Sequence, residues 1–404
     1  MDNAATSFPK PPKVYEAMMH YATELGASPG RGAYAEAREA GRLMNQCRQR
    51  LNQLINGQSP EHVIFTLNTT DGLNLAIRGI LQGKPTASAS AARHPGKAHL
   101  ITTWLDHNSV LRPFNALMEQ AGVEVTKVPC DPQTGLVDPD DVRKAIRPET
   151  RLIAVVHGSN VTGTLQPVRQ IGRVAREHDI PFLVDAAQTL GHVPVDVQAD
   201  HIDLLAFPGH KGLMGPLGTG GLYIRPGIEK QMATTREGGT GSISEVERQP
   251  DFMPDRFEAG SHNAIGIIGL SEGVQWILQQ TVAQLWEHER ALIQVMLDGL
   301  ADTGEMPGLT YFGPQGINHR CGVFSVRIAG FDLPQTLSDK LEQEYGILTR
   351  SGIHCAPLAH RTIGTYDAQG TTRFSFGPFL SRQDVKYACD ALGQICHSLT
   401  PASS

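Results

Sequence analysis

Lys211 and Asp185 are the two residues of this sequence whose types and surroundings point most directly to chemistry. Each follows a short apolar run: Phe182-Leu183-Val184 leads into Asp185 and then Gln188, and Leu204-Leu205-Ala206-Phe207 leads through Pro208 into Gly209-His210-Lys211-Gly212. An amine and a carboxylate at two strand ends form the pair that pyridoxal phosphate (PLP) requires. The amine holds the cofactor as a Schiff base. A carboxylate against the pyridine nitrogen keeps that nitrogen protonated, so that the ring can accept electrons from a substrate carbanion. The glycines around Lys211 are expected to allow backbone geometries closed to other residues and to clear space for a ligand. Taken singly, a lysine beside a loop and an aspartate capping a helix are ordinary solvated groups; their joint placement favours the cofactor.

Two features nearer the C-terminus choose among PLP chemistries. Cys355 sits in Gly352-Ile353-His354-Cys355-Ala356-Pro357, a proline-interrupted stretch read as an exposed loop, with His360 close by. A thiolate is the nucleophile that can take sulfur from a bound substrate, and nearby imidazolium or other positive charge raises its population. Arg373 opens the alternating run Arg373-Phe374-Ser375-Phe376, and its fork suits an α-carboxylate through two parallel hydrogen bonds. The competing readings are an inert buried thiol for Cys355, a surface ion pair for Arg373, and metal ligation by His354, Cys355 and His360. The last lacks a fourth ligand at recognisable spacing.

These side chains need a scaffold, and the pattern between them supplies one. At 404 residues the chain exceeds the usual size of a single core, so two domains are expected. Val63 to Thr66, Ala98 to Thr103, 123 to 129, Leu152 to His157, 182 to 185, 204 to 207 and 220 to 225 read as strands. Helices alternate with them over 13–25, 33–56, 73–81 and 109–121, and Asp138-Pro139 opens another with cap and first-turn residues in the favoured order. This alternation predicts an α/β layer whose strand ends line a ligand crevice. Asn68-Thr69-Thr70-Asp71-Gly72 leads from a strand into a helix, either as a plain cap or as a phosphate-holding start. Residues 84–97 lack periodicity and read as a surface loop. Helices at 264–278, 283–302 and 334–345, strands near 309–312, 320–328 and 372–376, and a capping-box helix from Ser381 describe a smaller α+β region. Cys47, Cys389 and Cys396 fall on apolar helix faces as packing residues.

Composition narrows the partners. A formal charge of −6 argues against a phosphate-tracking nucleic-acid binder. No apolar run reaches the roughly 20 residues that span a bilayer. The first residues, MDNAATSFPK, show no basic segment followed by an apolar one, so no secretory signal is expected and a cytoplasmic location is. The six cysteines are scattered without a CxxC pair, which suggests neither a zinc ribbon nor a disulfide framework.

In their order, several segments resemble the class V, fold-type I PLP enzymes, particularly the cysteine desulfurase and selenocysteine lyase branch. They are Asp2-Asn3-Ala4-Ala5-Thr6, Asp106-His107-Asn108-Ser109, the stretch from Phe182 to Gly221, Arg256-Phe257-Glu258-Ala259-Gly260, and Arg350-Ser351-Gly352-Ile353-His354-Cys355-Ala356. The resemblance spans essentially the whole chain. It implies an N-terminal segment (1–12) near the active site and a large PLP-binding domain (13–260) with a mainly parallel seven-stranded sheet flanked by helices. A small α+β domain (261–404) would carry the Cys355 loop. By resemblance, Lys211 is the Schiff-base lysine, Asp185 the partner of the pyridine nitrogen, and His107 the ring stacked on the cofactor. Asn160 and Gln188 would bond the ring oxygen, with Asn160 also near the substrate. Thr69, Thr70, His210 and, from the other subunit of a homodimer, Ser261 would hold the phosphate. Arg373 would take the carboxylate of L-cysteine or L-selenocysteine, and Cys355 the sulfur as a persulfide, with a sulfur-acceptor protein as a further partner.

One position departs from the pattern: Pro208 stands where the family usually has a serine or threonine, so one phosphate hydrogen bond is missing. Selenocysteine lyase and cyst(e)ine C–S lyase activities remain alternatives within the family. Further off stand a class V aminotransferase or epimerase and a PLP-fold binding protein without activity.

Overall fold

Side chains along the sheet strands alternate between two separate cores. In the run Leu204 to Phe207, Leu205 and Phe207 join one buried cluster and Leu204 and Ala206 the other, as the two-residue period of a strand demands. Both faces are therefore covered, which is why these strands read as continuous apolar runs.

The computed structural model describes residues 1–30, 32–84, 97–301 and 306–399. Except for its end residues 84 and 97, the loop expected over 84–97 lies outside the described residues, as does residue 302 of the helix expected over 283–302. The helices are α1 (Pro12–His20), α2 (Ala35–Leu54), α3 (Thr69–Gln82), α4 (Asn108–Ala121), α5 (Pro139–Ala145), α6 (Val168–Glu177), α7 (Ala264–Gln280), α8 (Val282–Ala301), α9 (Pro334–Tyr345), α10 (Pro357–Thr362) and α11 (Arg382–Leu399). The strands are β1 (Val63–Thr66), β2 (His99–Thr103), β3 (Glu124–Val128), β4 (Thr150–Val156), β5 (Phe182–Asp185), β6 (Leu204–Pro208), β7 (Gly220–Ile224), β8 (Leu309–Phe312), β9 (Val323–Ile328), β10 (Arg350–Gly352) and β11 (Thr371–Ser375).

Seven strands form one sheet in the order β1-β7-β6-β5-β4-β2-β3. Only β7 runs against its neighbours, so the sheet is mainly parallel, as expected. Residues of α3 and α4 pack on one face, and residues of α2, α6 and α7 on the other. A second, antiparallel sheet, β10-β11-β9-β8, packs with α8, α9 and α11 around a third core.

Local signals explain several helix ends. Asp138 accepts from Asp140 N–H at 2.9 Å ahead of Pro139, and Ser381 and Asp384 exchange capping bonds ahead of α11. The expected helix over 13–25 instead changes winding at Tyr21 and ends at Gly26, whose φ of 54° is left-handed. Helix α7 buries Ile267, Leu270, Val274 and Ile277 in a core of the larger sheet.

Candidate active site

The carboxyl ends of parallel β2, β4, β5 and β6 converge with the start of α3, and the segments just beyond those ends build the site. Asp185 closes β5 in register with Ala206 of β6. Beyond Pro208, the chain turns and delivers His210 and Lys211 beside it. Thr69, Thr70, His107, Asn160, Asp185, Gln188, Pro208, His210 and Lys211 line a single cleft of about 530 Å³. Eight of the proposed site residues are thus brought together. Pro208 also faces the cleft, without a hydroxyl to offer.

The glycines beside Lys211 stand where the backbone packs too closely for a side chain. A Cβ at Gly212 would overlap the Leu190 carbonyl, and one at Gly209 would overlap the Thr219 side chain. They let the protein's own turns close up.

Burial sets the electrostatics. Lys211 is pushed down to about 8 by burial, against the attraction of Asp185. Burial raises Asp185 above the usual carboxylate range, opposed by the Ala187 N–H (2.9 Å) and the Lys211 charge. Lys211 lines the cleft, where among the described residues the buried His210 Nδ1 has no hydrogen-bond partner. A buried amine held down to about 8, an acid lining the same cleft and an unsatisfied ring nitrogen are what a cofactor bearing an aldehyde, a pyridine nitrogen and a phosphate would satisfy. The residues present therefore fit PLP.

His107 both caps and faces the cleft. Its Nδ1 accepts from Ser109 N–H at 3.1 Å as the N-cap of α4, which assigns the ring proton to Nε2. Burial, followed by the charge of Lys211, pushes it down to about 4, so the ring is neutral. The Ser109 hydroxyl lies 2.9 Å from the same Nδ1 and 2.8 Å from Thr70 Oγ1, tying the two walls of the cleft together. Ser109 belonged to a recognised motif but carried no expected role. Below it, Asp106 Oδ2 accepts from Thr102 and Thr103, and burial lifts this carboxyl to about 7.

Arg373 and Cys355 approach from the antiparallel sheet. Arg373 is 1% exposed, not a surface residue. Its NH1 donates to the Asn160 carbonyl (3.2 Å) and its NH2 to Asp2 Oδ1 (2.9 Å). Cys355 is exposed, ruling out the inert buried thiol, and its carbonyl accepts from Asn108 N–H at 2.8 Å. Asn160 Nδ2 donates to the adjoining His354 carbonyl at 2.6 Å. His354 and Cys355 are both left-handed, with φ of 50° and 58°.

The histidines of this loop do not supply the expected imidazolium. Burial pushes His360 down to about 4 and His354 well below the usual range, so both are neutral. Two arginines stand near the loop, Arg350 opposite Arg373 in the β10–β11 ladder.

Ser261 is exposed and does not line the cleft of its own chain. Its loop is braced by Glu258, which takes both NH groups of Arg48 (2.7 and 2.9 Å), His262 Nε2 (3.1 Å) and Phe65 N–H (2.6 Å). The N-terminal segment threads the site as well. Gln188 Nε2 donates to the Ala4 carbonyl, and Ser7 N–H, Thr6 Oγ1 and Lys10 Nζ all donate to the His210 carbonyl.

The Aminotransferase class-V family matches residues 1–388 of this chain. A probable cysteine desulfurase of Methanothermobacter thermautotrophicus is 33% identical over 398 residues, covering 97% of this chain and 94% of that protein. A probable cysteine desulfurase of Pyrococcus abyssi is 34% identical, covering 98% and 94%. The solved apo structure of a cysteine desulfurase from Thermococcus onnurineus NA1 superposes with a TM-score of 0.88 at 31% identity, covering 98% of this chain and 94% of that one. The chain belongs to the class-V aminotransferase family. With that family and with this cleft, it is a PLP-dependent enzyme.

Proposed function

We propose that the chain is a cysteine desulfurase, converting L-cysteine to L-alanine and taking the sulfur onto Cys355. The observation that carries this reading is that an exposed thiol is bonded, through its own backbone, onto the rim of the cleft that holds Asp185 and Lys211. PLP supplies the electron sink that lets a substrate lose its α-proton and release its sulfur. Lys211 removes that proton and later returns one. With the cofactor bound, Asp185 would hold a proton at its pyridine nitrogen, His107 would stack on the ring, and Asn160 and Gln188 would bond its oxygen. Arg373 anchors the substrate's carboxylate. Cys355 attacks the substrate sulfur; the Cβ–S bond breaks with its electron pair staying on carbon, which is protonated to the methyl of alanine. Sulfur is left on Cys355 as a persulfide.

The phosphate contacts fall to Thr69, Thr70 and His210, with Ser261 supplied by the other subunit of a homodimer. The exposed position of Ser261, outside its own cleft, supports that assignment. Working lobes divided after α7, rather than at 260, suit the packing of that helix. A persulfide on an exposed loop suits delivery to a sulfur-acceptor protein. A reactive free thiol suits a reducing compartment such as the cytoplasm; no described helix is long and apolar enough to cross a membrane.

The test is to give PLP-loaded wild type and Cys355→Ala both L-cysteine and L-selenocysteine, and to measure alanine, pyruvate and protein persulfide. Loss of persulfide and of alanine from L-cysteine in the variant is expected. Undiminished alanine or pyruvate from the variant would instead make the enzyme a lyase that needs no thiol.

A further inference from the structure

Arg373 is buried, yet the carboxylate it meets belongs to residue 2 of its own chain. Its NH2 donates to Asp2 Oδ1 at 2.9 Å, NH1 makes a longer bond of 3.2 Å to the Asn160 carbonyl, and Nε has no partner among the described residues. Arg350 stands directly across the ladder from Arg373, and Lys211 feels both arginines and Asp2. Among the described residues, Asp2 is the acid that Arg373 touches, while Lys211 also has Asp185, and a buried guanidinium left without its acid would be strongly disfavoured.

Asp2 is delivered there by backbone bonds that owe nothing to its charge. Ser375 N–H donates to the Met1 carbonyl at 2.8 Å, and Ala4 N–H donates to Ser375 Oγ at 2.8 Å. The carboxylate therefore sits against Arg373 through one oxygen only, while the adjacent Nε–H goes unsatisfied. A carboxylate bound through both oxygens would satisfy two donors of the fork and displace this single contact.

We infer that Asp2 is an internal stand-in for the substrate's α-carboxylate: it occupies Arg373 in the free enzyme and is displaced when the amino acid binds. The inference rests on Arg373 being the carboxylate anchor proposed above. Substrate binding is then an exchange of one carboxylate for another. The apparent affinity is lowered by the fraction of enzyme in which Asp2 holds the arginine. Asp2 also cancels the charge that would otherwise attract anions lacking the rest of the substrate.

The probe is L-alanine, the carboxylate-bearing product, titrated into PLP-loaded protein and followed by its change in visible absorbance, alongside KM for L-cysteine. Asp2→Asn keeps the backbone bonds and the side-chain shape. It is expected to tighten L-alanine binding and lower KM by about tenfold, the loss of roughly one charge-assisted hydrogen bond from the free state. Asp2→Ser must move the same way, and Asp2→Glu must stay near wild type. Binding that is unchanged or weaker in both Asp2→Asn and Asp2→Ser, with Arg373→Gln weakened as the anchor requires, overturns the competitor and makes Asp2 a buttress. Unaltered L-alanine affinity in Arg373→Gln would remove the anchor itself, and the competitor with it.

Discussion

The cleft and the cysteine loop are made from opposite kinds of backbone. Asp185 closes one buried strand, and His107 and Lys211 follow the ends of others, in a mainly parallel sheet where neighbouring strands keep a spacing of about 4.8 Å and fix the groups at their ends. Cys355 stands exposed between three-residue β10 and six-residue α10, in consecutive left-handed residues. An electron sink works only if acid, ring and amine keep their relative positions, and burial there shifts Lys211 and Asp185 toward one another's needs. A thiol that collects sulfur and passes it on must meet both the cleft and the outside, which a strand end cannot offer.

The sharpest way to break this contrast is to remove one chemical group from each region. Lys211→Ala is expected to abolish the visible Schiff-base absorbance and to lower alanine formation by roughly 10³-fold or more. Cys355→Ala is expected to keep the absorbance while losing the persulfide. A Cys355 variant that also lost the cofactor band would mean that the loop helps to build the cleft.

Beneath the strand ends, Glu258 tests how much the framework depends on one buried ion pair. Glu258→Gln leaves Arg48 uncompensated and is expected to cost about 3–5 kcal/mol in urea unfolding. Burial opposes the charge of Glu258, but Arg48 and His262 outweigh it and hold the carboxyl down to about 2 from an ordinary 4.5. A folded-state value below the unfolded one gives stability that is present above about pH 4.5 and lost as pH falls toward 2. Acid unfolding of wild type should steepen in that window, and the variant should lack the added slope.

Cofactor loading probes the cleft more gently. Only the neutral amine attacks an aldehyde, and Lys211 is held down to about 8. The rate of PLP uptake by apoprotein should rise about tenfold per pH unit and level off near pH 8. Because Asp185 raises the lysine, Asp185→Asn should move that break to lower pH. A break that stayed put would show that Asp185 does not act on the amine.

Much of the cleft was legible because its groups are tied to local patterns. Apolar runs ending in Asp185 and in Gly209-His210-Lys211 became β5 and β6, and the Asp138 and Ser381 caps form the bonds their residue types require. Helix α6, outside the expected helices, has a buried face of Val168, Ile171, Val174 and Ala175 with charged residues opposite, a helical signal present in the sequence, and Gly172 lies on that buried face. The glycine is there because a Cβ would overlap the Asp200 carbonyl. The contact of Asp2 with Arg373 had no local trace, since the two residues lie 371 positions apart. Likewise, the neutrality of His354 and His360 depends on burial by segments remote in sequence, so the expected imidazolium could not be corrected before the fold was known.

The smallest effect isolates the loop's backbone from its sulfur. Cys355 has φ of 58°, a region that costs an L-residue about 1–2 kcal/mol and glycine almost nothing. The conformation is held by three bonds: Asn108 N–H to the Cys355 carbonyl, Asn160 Nδ2 to the His354 carbonyl, and His354 Nε2 to the Thr371 carbonyl. Cys355→Gly and Cys355→Ala remove the same thiol, so neither should form persulfide, but they differ in this strain. The glycine variant is expected to be more stable by about 1 kcal/mol in urea unfolding, after its greater unfolded-chain entropy is counted. Equal stabilities would mean that the three bonds do not hold residue 355 left-handed in solution. The exposed loop would then differ from the cleft in exposure alone and not in stored strain.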